Sequence, residues 1–99
     1  MSFDQEVLDL LKAVYDPELR INVVDLGLIY SVLKTDDSIA QIKMTLTTPG
    51  CPVADQLVRD VKLEAGKHPQ VKNVEVELVW EPQWNRDMMS EEARLMLGF

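Results

Sequence analysis

The sequence predicts a two-layer α+β fold, a small mixed three-stranded sheet with helices on one face. Three observations predict it. Apolar residues recur at helical spacing near the N-terminus and again from Ala54 to Ala65. Residues 40–47 alternate apolar and polar, the period of a half-buried strand. Two further runs rich in β-branched and aromatic residues flank these segments. The element order is helix, strand, strand, helix, strand, helix, and the whole chain, 1–99, reads as a single domain.

The first helix is expected from Phe3, Val7, Leu10, Leu11 and Val14, which fall on one face of a 3.6-residue period. Ser2 is placed to cap it, Asp4 and Glu6 suit its positive end, and Pro17 is expected to stop it. The stretch DPELRINVVDLGL reads as irregular, with Gly27 free to take a positive φ and Asp25 placed to satisfy nearby backbone N–H groups. Leu28 to Leu33 forms a strand, Asp36-Asp37-Ser38 a turn, and residues 40–47 a second strand. Ala40, Ile42, Met44 and Leu46 would line its dry face, and Gln41, Lys43, Thr45 and Thr47 its wet one. After TTPGCP, Ala54, Leu57, Val58, Val61 and Ala65 mark the second helix. Pro52 fits its first position, and Gly66 and Pro69 end it. Residues 74–80 give the third strand. The tail holds a loop, EPQWNRDMM, and a short helix capped by Ser90.

Composition narrows the function. The chain is 46% apolar and 27% charged, which excludes disorder, and no apolar run approaches the roughly 18 residues of a membrane span. The N-terminus lacks the basic region and cleavage site of a signal peptide, so a cytoplasmic protein is expected. The net charge of −7 argues against nucleic acid, whose phosphates need clustered cations. That charge is uneven: residues 75–94 hold six acids and two bases, and residues 56–72 four bases and two acids. The acidic stretch is either a solvated face or a patch that meets a basic partner.

One cysteine, Cys51, and one histidine, His68, set the available chemistry. A lone thiol forms no internal disulfide and cannot by itself build a four-thiolate metal cage. If Pro52 opens a helix, Cys51 stands at its N-terminus, where free N–H groups favour a thiolate. The alternative is a small buried hydrophobe in a turn, and the residues leave both readings open. His68, in AGKHPQ, reads as a surface turn residue, so no general base is placed for a thiol enzyme. Asp16 and Glu18 flank Pro17 and would bind a metal, orient a thiol or simply solvate a turn. Thr47 and Thr48 would cap the second helix or set hydroxyls beside Cys51. Trp80, Trp84, Met88 and Met89 form an apolar cluster that either covers the sheet or lines a partner-binding cleft.

Four motifs, DPEL at 16–19, DLGLIY at 25–30, MTLTTPGCPVADQL at 44–57 and VWEPQWNRDMMSEEARLMLGF at 79–99, together resemble the metal–sulfur cluster biosynthesis family. That family includes SufT-type iron–sulfur assembly factors, PaaD-type proteins of phenylacetate degradation and domains fused to Mrp-type ATPases. The resemblance implies an α+β domain with a groove formed by Asp16, Glu18, Leu19, Thr47, Thr48 and Cys51. It also implies a non-enzymatic role in maturing iron–sulfur proteins. PaaD-type members commonly carry extra C-terminal cysteines; their absence before Phe99 favours the SufT-like reading, and any nucleotide-driven step would belong to a partner.

Two functions follow from the resemblance. In the first, Cys51 ligates iron or a [2Fe–2S] cluster shared across a homodimer or with a partner, with Asp16 or Glu18 as oxygen ligands. In the second, the chain is a metal-free interaction module for iron–sulfur assembly proteins or apo-clients, and Cys51 is structural. Neither nucleic acid nor membrane is an expected partner.

Overall fold

The structure, a computed structural model, describes residues 2–17, 19–47 and 54–98. Cys51, Glu18, Thr48 and the Pro52 cap therefore lie outside the described residues. The expected element order is observed. α1 spans Phe3–Leu11, β1 Ile29–Lys34, β2 Ile39–Met44, α2 Ala54–Ala65, β3 Asn73–Leu78 and α3 Glu91–Leu97, with a 3-10 turn at Arg86–Met88 before α3.

β2 is the central strand. It pairs antiparallel with β1 through the hairpin turn and parallel with β3 through the α2 crossover. Ala40, Ile42 and Met44 point to the helices and are buried, and Gln41 and Lys43 point to solvent. Val7 and Leu11 of α1, Leu57, Val61 and Ala65 of α2, and Ala93 of α3 close over them in one apolar core. At about 25 cal/mol per Å² of buried apolar surface, this shared core is the main stabilising term. No helix among the described residues is long and apolar enough to cross a membrane.

Both predicted serine caps are present. Ser2 Oγ accepts from Gln5 N–H at 3.4 Å and Ser90 Oγ from Ala93 N–H at 3.1 Å. The Ser2 side chain also holds the Asp4 carboxyl below the usual carboxylate range.

Four expectations are corrected. α1 ends at Leu11, well before Pro17; the turn after it folds back through Val14 N–H to Leu11 O, and this keeps Val14 in the core without helical backbone. β2 ends at Met44, so the alternation fails there. Thr45, expected on the wet face, is buried, its N–H donating to Leu28 O at 2.8 Å. Among the described residues the carboxylate of Asp25 accepts no backbone N–H. Asn22 takes that part: its Oδ1 accepts Asp25 N–H at 2.9 Å and its Nδ2 donates to Asp25 Oδ2 at 2.7 Å.

His68 is the fourth. It is 6% exposed, not a surface residue, because α1 reaches over the turn that carries it. Its ring meets Phe3 edge-on at 4.9 Å, its Nδ1 accepts Gln70 N–H at 3.0 Å, and its Nε2 lies 3.0 Å from Glu6 Oε1. Acceptance at Nδ1 leaves the proton on Nε2, which donates to Glu6.

Candidate functional site

Two structures position the described site residues. The first is the turn after α1. Tyr15 and Asn22 form an antiparallel bridge, and within it Asp16 N–H donates to Ile21 O and Arg20 N–H to Asp16 O at 2.7 Å. Asp16 Oδ1 accepts Leu19 N–H at 3.1 Å, so the carboxylate is buried inside the turn it organises. Leu19 leans from this turn onto the core. The carboxylate's first role is therefore to hold the DPEL segment in shape.

The second structure is a concavity of about 250 Å³ lined by Thr45, Leu46, Thr47, Trp80, Glu81, Gln83 and Trp84. Its walls come from the chain leaving β2 and from the tail leaving β3. The tail is fixed against residues 25–30. Trp84 Nε1–H donates to Leu26 O at 2.6 Å, Tyr30 OH donates to Pro82 O at 2.7 Å, and Ser90 N–H donates to Asp25 O at 2.7 Å. Gly27, at φ +79, lets Met88 pass directly over it, where a side chain would overlap the Met88 carbonyl.

The predicted aromatic and methionine cluster is thus divided. Trp80 and Trp84 line the concavity, Met88 offers its sulfur to the Tyr30 hydroxyl at 3.4 Å, and Met89 is in the core. The methionines pack against the fold, and the tryptophans stand in the wall of the concavity.

Sequence reasoning missed one group at this site. The Thr45 hydroxyl is fully buried and has no hydrogen-bond partner among the described residues. A buried hydroxyl without a partner costs about 1–3 kcal/mol. The strict alternation through residue 47 concealed it, since nothing local signals that the strand stops at Met44, three residues earlier.

Thr47 lies on the wall of the concavity, at the start of the segment that leads to Cys51, whereas Asp16 and Leu19 belong to the turn and are not among its lining residues. Among the described residues no three of His, Cys, Asp and Glu gather in a group that could hold a metal ion.

Comparisons with known proteins agree with one another. Residues 4–78 match the family model described as iron–sulfur cluster assembly protein. A Porphyromonas gingivalis protein described as an Fe-S protein maturation auxiliary factor is 48% identical over 96 residues, which cover 97% of this chain and 91% of that one. The Fe-S protein maturation auxiliary factor YitW of Bacillus subtilis is 44% identical over 94 residues, covering 95% and 92%. The crystal structure of a domain of unknown function from Bacillus anthracis superposes with a TM-score of 0.92 at 42% identity, covering 98% of this chain and 92% of its own.

Proposed function

Because the chain belongs to the iron–sulfur cluster assembly protein family, we propose that it is an accessory factor that receives iron or a [2Fe–2S] cluster at Cys51 and passes it to an apo-client. The observation that carries this reading is the position of the only thiol, in the segment joining β2 to α2 directly after Thr47, which lines the tryptophan-walled concavity.

Ligand arithmetic shapes the mechanism. A [2Fe–2S] cluster is held by about four protein ligands, and one thiolate supplies one of them. The remaining ligands come from a second copy, from a partner, or in part from the carboxylates of Asp16 or Glu18. An incomplete site of this kind suits a carrier, since handing over the cargo requires ligand exchange. Leu19, Thr47 and Thr48 would line the groove beside the thiol. Thr47 and the two tryptophans would then receive the client segment that brings the next ligand.

The test is anaerobic reconstitution with ferrous iron and sulfide, comparing wild type with Cys51→Ala by visible absorption and by mass in solution. The expected result is a chromophore that needs Cys51 and appears on a species larger than the monomer. Equal spectra without bound iron would overturn the carrier reading. They would favour the second one, a metal-free adaptor that engages assembly proteins or clients through the exposed Trp80 and half-buried Trp84.

A further inference from the structure

β3 is an edge strand, and its packing partners are β2 on one side and α2 above. The register decides which backbone groups are free. Ala40 faces Val74, Ile42 faces Val76 and Met44 faces Leu78 in a parallel ladder, and Val79 N–H donates to Met44 O at 2.8 Å. In such a ladder alternate residues of β2, here Ala40, Ile42 and Met44, bond to the residues on either side of their partners. The odd-numbered residues of β3 therefore bond to β2, and the N–H and C=O groups of Val74, Val76 and Leu78 point away from the sheet.

Of these outward amides only Val74 N–H is satisfied, by the Asn73 side chain at 2.9 Å, which closes the start of the edge. The Val76 and Leu78 amides have no protein partner among the described residues. No proline or bulge interrupts the strand, although natural sheets commonly blunt exposed edges with such features. The helix-side row is also unfinished: Val74, Val76 and Leu78 are only half-buried, whereas Ala40, Ile42 and Met44 beside them are closed off.

The opposite face of the same edge carries charge. Glu75 and Glu77 are both exposed, two residues apart on one side of the strand. Glu75 is steadied by Gln41 Nε2 at 3.2 Å, and Glu77 makes no ion pair among the described residues. This pattern rejects a second copy of the chain. Antiparallel self-pairing about Val76 sets Glu75 against the other copy's Glu77 in the close, non-hydrogen-bonded pairs, and parallel self-pairing sets like against like.

We propose that the outer edge of β3 is a docking site for an extended segment of a partner protein that adds as a fourth strand. That segment carries Lys or Arg at alternate positions facing Glu75 and Glu77, and apolar side chains between them that extend the Val74, Val76 and Leu78 row. Main-chain bonds supply the attachment and the alternate side chains the selectivity. The site draws on no residue of the segment that carries Cys51. It rests on the accessory-factor reading only in needing a protein partner, so loss of Cys51 leaves it intact.

The probe is a labelled short peptide alternating lysine and valine, titrated into the full chain by fluorescence anisotropy, with amide chemical shifts read in parallel. Two controls hold the composition fixed: the same residues with all lysines in one block, and the alternating peptide N-methylated on its backbone. The expected result is binding that shifts the Val76 and Leu78 amides. The exposed charge reversal Glu75→Lys with Glu77→Lys should weaken it about tenfold, the sum of two cross-strand pairs turned from attraction to repulsion, and each control peptide, lacking the alternation or the main-chain donors, should bind about tenfold more weakly as well. Cys51→Ala should bind like wild type. Equal binding of the controls would reduce the effect to diffuse attraction by an acidic protein and overturn the proposal. Shifts confined to Asp87, Glu91 and Glu92, self-association through β3, or no binding would overturn it as well.

Discussion

Trp84 and Leu26 are joined by a hydrogen bond of 2.6 Å, indole Nε1–H to backbone carbonyl, across 58 positions of sequence. It pins the tail to the segment that leads into β1 and sets one wall of the concavity. Trp84→Phe keeps the ring and removes the donor, and is expected to cost about 1 kcal/mol in urea denaturation. Trp84→Ala also removes the packing and should cost about 3 kcal/mol.

Gly27 tests the same attachment from the other side. Alanine there must adopt φ near +79 and overlap the Met88 backbone. The left-handed conformation alone costs about 1–2 kcal/mol, so Gly27→Ala should lose more than that or release the tail. Limited proteolysis separates the outcomes, since a released tail is cut after Trp80 while the core persists.

The neutral ring of His68 is expected to carry its proton on Nε2, because Nδ1 accepts Gln70 N–H and Nε2 faces Glu6. Long-range proton–nitrogen spectra of the ring report this directly. His68→Phe retains a ring against Phe3 but leaves the Gln70 amide without its acceptor, with an expected loss of about 1–3 kcal/mol.

Asp16 has a structural duty and a proposed ligand duty, and one substitution separates them. Asp16→Asn keeps an oxygen for Leu19 N–H, so stability should stay within about 1 kcal/mol of wild type, whereas Asp16→Ala should lose about 1–2 kcal/mol. If the carboxylate also binds cargo, reconstituted Asp16→Asn will retain less iron than wild type. Equal iron content would confine Asp16 to building the turn.

Thr45→Val keeps the shape of the side chain and deletes a buried hydroxyl that has no partner among the described residues. Stability should hold or rise by about 1 kcal/mol, which for a domain of this size is about 4–8 °C in Tm.

Elements whose signals are local were legible in the sequence. The serine caps, the hairpin turn and the apolar stripe of α2 each announce themselves within a few residues, and the crossover through α2 places β3 parallel to β2. Contacts between distant segments were not legible. Val14 continues the helical period of α1 yet belongs to a turn, since burial and helical backbone are separate requirements. His68 looks like any residue of a polar turn until Phe3 and Glu6 arrive from the other end of the fold. Asp16 was legible as a polar turn residue, whereas the partner of its carboxylate, Leu19 N–H, depends on a loop conformation that no periodicity encodes.

The strap from Pro82 to Ser90 also bears on the order in which the molecule is made. Its three anchors all lie within residues 25–30, more than 50 residues ahead of it in the order of synthesis. Translation at about 5–20 residues per second places Trp84 roughly 3–12 s behind Leu26. During that interval the Leu26 and Asp25 carbonyls and the Tyr30 hydroxyl lack the bonds that the tail makes to them. Closure of this face therefore waits for residues 82–90, and until they emerge the nascent protein presents this surface to whatever holds unfinished chains.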